Sequence, residues 1–270
     1  MFNIGQFIKG VVVKRPSAKC KTPYVADVML ENGDMVLAHS AALGCCGYCD
    51  KDATVLMIKV DNTKNVCSHK IIVAEDYERE QYQLIGVDPK LAEKIVFSCL
   101  DNNSFSWLNH LNLLQKEKKF LNSRFDFTGL DENNKQFILE VKNVPLADYV
   151  DMLAKDRKKI DTSSYDYNNK IAYFPDGYRK NIKDTVSPRA LKHIEELTTI
   201  KKENPEIRTI LCFVIQRKDV SSFQPSIIDE KYRNAVLTAH ENNVEIRAIQ
   251  TWWNYDGSVS LINDSLKVNI

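Results

Sequence analysis

The sequence predicts an α/β (α+β) protein that begins with an all-β part and continues into an α/β domain. Short runs rich in β-branched residues, separated by turn residues, occupy about the first 75 positions. Beyond about residue 120, strand-like runs alternate with amphipathic helical segments, which is typical of an α/β domain. The length of 270 residues and the hydrophobic fraction of 44% are sufficient for two domains with real cores.

The N-terminal part contains five strand-like runs, with turn signals such as Glu31–Asp34 between them. Five short strands in this length are typical of a small closed barrel, of which the OB-fold is a common form. We therefore expect a five-stranded OB-fold domain at residues 1–78 and a second domain at residues 79–270. The predicted strands are Ile8–Lys14, Tyr24–Leu30, Asp34–Ala38, Ala53–Val60 and Lys70–Val73.

The second domain is predicted to open with a helix, because Asp88 can cap it and Pro89 suits its first turn. A second helix is expected to start at Ser187 and Pro188, with the serine as its cap. The polar segment at residues 148–169 is interpreted as an exposed insertion or a mobile flap. The other predicted elements are strands at Arg124–Leu130, Gln136–Val144, Ile171–Phe174, Thr209–Ile215 and Val244–Gln250, a helix at Glu230–Asn242, and an edge hairpin at Gly257–Leu266.

Composition restricts the class of protein further. A net charge of +1 does not identify a partner, although a local groove of Lys and Arg can still bind phosphate. No apolar run approaches the ~20 residues that span a bilayer, and the first residues lack a secretory signal pattern. We therefore expect an intracellular protein, cytoplasmic or nucleoid/nuclear, without membrane association. The oligomeric state is left open.

The seven cysteines are an odd number and are not spaced like an extracellular disulfide framework, so reduced thiols are expected. The Cys45–Cys49 cluster contains one C-x-x-C pair, Cys46 and Cys49. A structural zinc site needs four ligands, and a matching second pair is absent, although Cys45, Cys67, His69 and His39 are further candidates. Ordinary thiols in a tight loop and a zinc site therefore both stay open for this cluster.

The predicted hairpin carries a possible cation site made of Asp126, Glu140 and Lys142. Glu140 and Lys142 share one face of their strand, and cross-strand pairing can bring Asp126 to the same face. Two carboxylates suit a hard cation such as Mg²⁺, which can polarise a phosphodiester, and a nearby lysine can stabilise developing charge. The alternative is a surface carboxylate pair that forms salt bridges to the lysine.

Five segments around these residues occur in a fixed order along the chain: SRFDF (123–127), LEVKNVPL (139–146), AYFPD (172–176), SPRALKHIEEL (187–197) and FVIQRKDVSSFQP (213–225). They resemble the sugar fermentation stimulation protein (SfsA) family, which carries S-R-x-D, E-V-K-S-V-T-L, F-P-D, R-G-x-K-H-L and F-V-V-Q-R in this order. The N-terminal A-D-V-x-L stretch of that family is similar to VADVMLENGDMVLAHS at 25–40. The resemblance spans nearly the whole chain. Departures are Ala41–Gly44, where the family has P-N-T-G, Ala190 in place of a glycine, and insertions near 148–168 and 178–184.

This resemblance implies an OB-fold followed by a PD-(D/E)xK restriction-endonuclease-like domain that binds nucleic acid. It implies a Mg²⁺ (or Mn²⁺) site at Asp126 and Glu140, with Lys142 as the catalytic lysine. Glu93 matches the helical glutamate that often completes such sites. It also implies supporting roles for Gln216, in orienting phosphate or water, and for His193, whose alternative is a surface position. Candidate nucleic-acid contacts are Arg15, Lys21, Arg124, Lys192 and Arg217.

Three functions are therefore compared. The leading hypothesis is a metal-dependent nuclease that hydrolyses phosphodiester bonds in DNA or RNA, with the barrel holding the strand. A non-catalytic DNA-binding regulator of the SfsA type is the alternative, and a protein-interaction module is the third. Trp252 and Trp253 are expected to be buried at the domain seam, although stacking on bases is the other interpretation.

Overall fold

The computed structural model describes residues 2–41, 45–60, 66–120, 123–175 and 184–270. The insertion expected near 178–184 therefore lies almost wholly outside the described residues, as do the side chain of Cys45 and the loop at 42–44. In the part of the chain that the structure describes, no helix has the length and apolar character needed to cross a membrane.

An OB-type barrel forms the N-terminal part, as the sequence predicts. Its first strand pairs with the second and the fourth, and a parallel pairing of the third with the fifth closes the barrel in the order 1-2-3-5-4-1. Val12, Val28, Met57 and Ile71 are fully buried inside it. The strands are β1 (Ile8–Lys14), β2 (Val25–Leu30), β3 (Met35–His39), β4 (Thr54–Lys59) and β5 (His69–Glu78), and a single 3₁₀ turn occupies Cys45–Gly47.

The N-terminal sheet has a sixth strand that the sequence pattern did not reveal. This strand, β6 (Gln81–Gly86), pairs with β5 along its whole length and extends the sheet beyond residue 78. Its last residue, Gly86, donates its N–H to the carbonyl of Gln216 in the second part of the chain. The five-stranded description therefore holds for the closed barrel but not for the complete sheet.

A six-stranded mixed sheet forms the centre of the α/β part, in the order β15-β14-β12-β9-β8-β7. Its three middle strands, β9, β12 and β14, run parallel, and the outer strands are antiparallel to their neighbours. The elements of this sheet and its helices are α1 (Pro89–Asp101), β7 (Leu113–Phe120), β8 (Ser123–Leu130), β9 (Gln136–Val144), α2 (Ala154–Arg157), α3 (Pro188–Glu203), β12 (Arg208–Ile215), α4 (Glu230–Glu241), β14 (Glu245–Trp253) and β15 (Val259–Asn263).

A second, smaller sheet lies beside the first. It has the order β10-β11-β13-β16, with the strands β10 (Ala147–Asp148), β11 (Lys170–Phe174), β13 (Val220–Pro225) and β16 (Lys267–Val268). Strand β13, which the sequence pattern also did not reveal, pairs in parallel with β11.

Alternating residues of the central strands divide the core between two helical layers. On β9, Leu139 and Val141 face the cluster that contains the apolar side of α1. Ile138 and Val144 face the opposite cluster, which α3 and α4 complete. Period-2 alternation therefore places Glu140 and Lys142 on the α3 side of the sheet.

The predicted helix starts are confirmed, but one predicted cap is wrong. Asp88 caps α1 by accepting the N–H of Lys90 at 3.1 Å, and Asp229 caps α4 through the N–H of Tyr232. Ser187 precedes α3 without any side-chain hydrogen bond to the helix. The first turn of α3 therefore lacks the side-chain cap that its sequence predicts.

The polar segment after β10 is exposed over most of its length, as expected, and it is also anchored. Asp151 accepts hydrogen bonds from Gln224, Ser226 and the N–H of Ile227 at 2.7–2.9 Å. From the barrel, the guanidinium of Arg79 donates to backbone carbonyls at Thr162 and Tyr165. These contacts hold the segment against both parts of the molecule, which the description of a loose flap did not anticipate.

Candidate functional site

The site forms where two paired strands separate. The ladder between β8 and β9 runs from Leu130↔Gln136 to Phe127↔Leu139. Beyond it, the carboxylate of Asp126 accepts the N–H of Val141 at 2.7 Å. A side-chain acceptor thus replaces the backbone partner at this position, and the carboxylate of Asp126 is fixed against β9 beside Glu140.

Glu140 is the most buried acid of the site, with 2% of its surface exposed. Its Oε1 accepts hydrogen bonds from Lys142 on the same strand and from Nδ1 of His193 on α3. The Nζ of Lys142 lies 3.5 Å from that same His193 nitrogen. The ring of His193 is buried and packs 5.9 Å from Phe125, centroid to centroid. Of the two interpretations of His193, the surface position is therefore wrong, and its pairing with Glu140 was not foreseen.

The second carboxylate oxygen of Glu140 has a different environment. Oε2 is buried and has no hydrogen-bond partner among the described residues. A buried carboxylate oxygen without a partner costs free energy unless another group, such as a cation, binds it.

The charges of Asp126, Glu140 and Glu93 repel one another. Burial and the charge of Glu140 together raise the pKa of Asp126 to about 7, although the N–H of Val141 and the charge of Lys142 lower it. Burial and the charge of Glu140 likewise raise the pKa of Glu93, which lies on α1. Burial opposes ionisation of Glu140 too, but hydrogen bonds from His193 and Lys142 hold its pKa below the ordinary value. Three acids that disfavour each other's charge are stabilised together when a divalent cation lies among them.

A Mg²⁺-type ion fits this donor set better than a zinc ion does. Within the described ranges, no three His, Cys, Asp or Glu side chains converge into a complete cage for a metal ion. Structural zinc requires four such ligands, whereas Mg²⁺ usually keeps several waters and takes one or two carboxylates. Asp126 and the unpartnered Oε2 of Glu140 meet that smaller requirement, and the charge of Glu140 also acts on Glu93.

A basic cleft opens next to these acids. It has a volume of about 450 Å³ and lies over the first turns of α3. Arg124 and Lys192, both predicted nucleic-acid contacts, are in its wall, and His193 connects it to Glu140. The sequence pattern did not assign roles to the other lining residues, Ser123 and Arg189, although both lie in the SRFDF and SPRALKH segments. The complete lining is Ser123, Arg124, Pro188, Arg189, Lys192 and His193.

Gln216 lies in a buried seam rather than among the acids. It is fully buried, donates to Asn143 Oδ1 at 2.6 Å and accepts from Trp253 Nε1 at 2.7 Å. Both polar atoms of its amide are thus used inside the protein. The expected role in orienting phosphate or water is not supported by this position, and a structural role between the barrel and the α/β domain fits it.

Arg217 is likewise buried, with 1% of its surface exposed. Its guanidinium forms two hydrogen bonds of 2.7 Å to Asp219 and donates to the hydroxyl of Tyr48 and the carbonyl of Pro145. A guanidinium with this many internal partners is not available to a phosphate. The prediction of a nucleic-acid contact at Arg217 is therefore wrong.

On the barrel, the two predicted nucleic-acid contacts, Arg15 and Lys21, differ in their exposure to solvent. The side chain of Arg15 is only 4% exposed, donates from Nε to the carbonyl of Pro23 and lies 3.7 Å from Asp50. It holds the loop after β1 and is poorly placed to contact a strand. Lys21 is exposed in that loop, so its predicted role stays a prediction.

The remaining sequence candidates have simple environments. Trp253 is fully buried and contacts Phe2 at a centroid distance of 6.2 Å, which confirms burial at the seam. Trp252 is half-buried, and the ammonium of Lys218 lies 4.2 Å from its ring centre. In the Cys45–Cys49 cluster, Cys49 is buried in the barrel core and Cys46 is exposed.

The protein therefore belongs to the class in which an OB-type barrel is joined to a nuclease-like α/β domain. Its acids and its lysine lie where two strands of that domain separate. The chain belongs to the sugar fermentation stimulation protein family, because the family model "Sugar fermentation stimulation protein RE domain" matches residues 90–257. The matched region contains Glu93, Asp126, Glu140, Lys142 and His193.

Relatives and a solved structure extend the similarity to nearly the whole chain. A sugar fermentation stimulation protein homolog from Clostridium kluyveri is 28% identical over 268 residues, covering 97% of each protein. One from Clostridium perfringens is 29% identical over 241 residues, covering 89% of this chain and 88% of that protein. The structure of Pyrococcus furiosus SfsA in complex with Ca²⁺ matches with a TM-score of 0.77 at 17% identity, covering 100% of this chain and 98% of that chain. At that identity the match shows a shared fold.

Proposed function

We propose that the protein is a metal-dependent nuclease that hydrolyses phosphodiester bonds in DNA or RNA. The observation that carries this proposal is the convergence of Asp126, Glu140 and Lys142 beside a basic cleft. The buried, unpartnered Oε2 of Glu140 supplies a free ligand atom, and the cleft supplies cations for the phosphate backbone. The acidic residues that can bind a cation thus lie next to basic residues that can bind a phosphate. Cleavage of an anionic substrate with the help of a metal ion requires both.

Asp126 and Glu140 would hold a Mg²⁺ or Mn²⁺ ion, and Glu93 on α1 adds a third negative charge that interacts with both acids. Such an ion supplies charge neutralisation for the phosphate and a lowered pKa for a bound water. That the Pyrococcus furiosus relative was solved in complex with Ca²⁺, another hard divalent cation, supports this assignment.

Lys142 and His193 have distinct roles in this proposal. The side chain of Lys142 is 13% exposed, and its ammonium can donate to a phosphate oxygen while it remains beside Glu140. His193 is buried and bonded through Nδ1 to Glu140, so it positions the carboxylate instead of protonating a leaving group. We therefore place His193 as a positioning residue.

The barrel is proposed to bind the nucleic acid. Lys14, Lys19 and Lys21 are exposed at the end of β1 and in the loop that follows it. OB-type barrels commonly bind single strands with their strands and connecting loops, and exposed lysines supply the salt-dependent part of that affinity. The same surface serves the alternative function, a DNA-binding regulator without turnover.

Cleavage assays test the proposal. Labelled single- and double-stranded DNA and RNA are incubated with the protein and Mg²⁺ or Mn²⁺, and products are resolved by length. Glu140→Gln, Asp126→Asn and Lys142→Met should each lower the rate by about 100-fold or more, since removal of one electrostatic group of this kind costs that much. Lys202→Met, an exposed lysine on α3 outside the cleft, is the matched control and should cleave normally.

Two results would contradict the proposal. Cleavage that persists in Glu140→Gln or Lys142→Met would show that another site is responsible. Salt-dependent binding without cleavage of any substrate, with either metal, would favour the regulator.

A further inference from the structure

The basic cleft over α3 contains features that the roles proposed for the acids and Lys142 do not explain. It shares His193 with the acidic site, and three of its six lining residues carry a positive charge: Arg124, Arg189 and Lys192. None of the six is acidic. This charge pattern excludes a metal ion and an apolar ligand, and it favours an anion.

Ser123 provides an independent indication that this cleft binds a ligand. Only 5% of this residue is exposed, and its Oγ is buried without a hydrogen-bond partner among the described residues. The residue lines the cleft. A buried hydroxyl is normally hydrogen-bonded, so an unpartnered one in a basic cleft indicates that an acceptor binds there.

The start of α3 adds to the positive potential. This helix of 16 residues begins at Pro188, and no side chain caps it at Ser187. The N-terminal N–H groups and the helix dipole favour a negative charge at that end. Arg189 and Lys192 extend from the same turns.

The positive surface continues onto the sheet edge. Lys119 on β7 lies directly across from Arg124 on β8. Arg124 also pairs with Glu117 at 3.2 Å, but both side chains are 66% exposed, so this contact is weak and easily exchanged. A strand leaving the cleft therefore meets a further lysine.

We propose that the cleft of Ser123, Arg124, Arg189 and Lys192 is a second phosphate subsite, which binds the phosphate next to the one that is cleaved. The identity of the ligand as a nucleic-acid strand rests on the proposed function. The site itself rests on the unpartnered hydroxyl, the helix start and the three cations. It fixes the register of the strand relative to Glu140, since His193 belongs to both sites.

The test measures binding without cleavage. A fluorescein-labelled ten-nucleotide oligothymidylate, with or without a 5′-phosphate, is titrated with the protein in the presence of EDTA, at a range of salt concentrations. Arg189→Gln and Lys192→Gln should each weaken binding roughly three- to fivefold, the worth of one exposed ion pair. The salt slope should fall by about 0.7 for each phosphate that the variant no longer binds. Lys202→Gln, at the exposed far end of α3, is the matched control and should match the wild type.

Ser123→Ala distinguishes a ligand contact from a structural role. Because Oγ bonds to no described residue, the variant should melt at or above the wild-type temperature. It should nevertheless bind the oligonucleotide about fivefold more weakly, the worth of one hydrogen bond. Inorganic phosphate should compete with the strand in the wild type and less well in Arg189→Gln.

The outcomes separate this proposal from the previous one. Arg189→Gln and Lys192→Gln with the affinity and salt slope of Lys202→Gln would overturn the subsite, as would wild-type binding by Ser123→Ala. If Arg189→Gln and Lys192→Gln weaken binding of the 5′-phosphorylated oligonucleotide alone, the cleft binds the end of a strand. If they weaken binding of both oligonucleotides equally, the cleft binds an internal phosphate. A protein that shows these binding losses but cleaves nothing retains the subsite and refutes the nuclease.

Discussion

The buried ion cluster around Asp219 makes a quantitative prediction about stability. Asp219 is fully buried and accepts two hydrogen bonds of 2.7 Å from Arg217 and one of 2.8 Å from Lys170. Lys170 also binds Glu78 of the barrel at 2.6 Å, and Arg217 binds Tyr48 of the barrel. The cluster therefore joins the two parts of the molecule.

Replacing Asp219 with asparagine keeps the size of the side chain and removes its charge. Two buried cations, Arg217 and Lys170, then lose their shared anion, and the new amide directs a donor toward one of them. Breaking a buried pair in this way costs about 3–5 kcal/mol. For a chain of this size the melting temperature should fall by roughly 6–20 °C. Asp156→Asn, at an exposed ion pair with Lys159, is the control and should show no measurable change.

The pH dependence gives a second test of the same cluster. Burial alone would raise the pKa of Asp219, but Arg217 and Lys170 hold it below the ordinary value. A lowered pKa in the folded state means that the stabilisation is fully present above the unfolded value of about 3.9 and is lost as the pH falls below it. The melting temperatures of wild type and Asp219→Asn, followed by circular dichroism, should therefore differ strongly at about pH 7, and the difference should shrink as the pH falls below about 3.9 and through the lowered pKa of Asp219. Equal melting temperatures at neutral pH, or a gap that persists in acid, would refute this account.

Three further changes have definite expected outcomes. Mg²⁺ or Mn²⁺ should raise the melting temperature of the wild type by several degrees at saturating concentration but not that of Glu140→Gln, because binding to the folded state alone is stabilising. Gly86→Ala should lower the free energy of unfolding by about 1–3 kcal/mol, since its Cβ would lie 2.2 Å from Oε1 of Gln216. In urea titrations, the double variant Gly86→Ala/Gln216→Ala should lose less free energy of unfolding than the two single variants added together. Asp151→Ala removes three hydrogen bonds, so limited trypsinolysis should cut residues 152–168 faster than in the wild type.

The sequence predicted most of the fold because hydrophobic period and turn chemistry are local signals. Its two clearest omissions in the second domain are β7 and β13. Strand β7 has the sequence LLQKEKKF, and it is an exposed edge strand whose lysines and glutamate face solvent, so no buried alternation marks it. Strand β13 follows β12 closely and pairs with β11, about fifty residues earlier, so its role depends on tertiary contacts.

The acidic site was predictable in part for the same reason. Strand register alone brings Asp126 next to Glu140, and period-2 alternation puts Lys142 beside that acid. The contact of His193 with Glu140 required the packing of α3 on the sheet, which lies beyond local pattern. The burial of Gln216 and Arg217 required the N-terminal part of the chain to supply Gly86 and Tyr48, which are far away in sequence.

Glu140 and Gln216 show how the structure separates catalytic candidates from structural residues that a family motif treats alike. Both are buried polar residues on or beside neighbouring parallel strands, and both lie in segments that resemble the same family. The amide of Gln216 satisfies its donor and its acceptor internally, whereas Glu140 keeps one oxygen without a partner beside acids whose charges repel it. A satisfied buried group stabilises the fold in its present state, and an unsatisfied one needs a ligand to become stable. The unpartnered Oε2 of Glu140 and Oγ of Ser123, together with the repulsion among the acids, therefore support the proposal that ligands bind at the split between β8 and β9 and in the adjoining cleft.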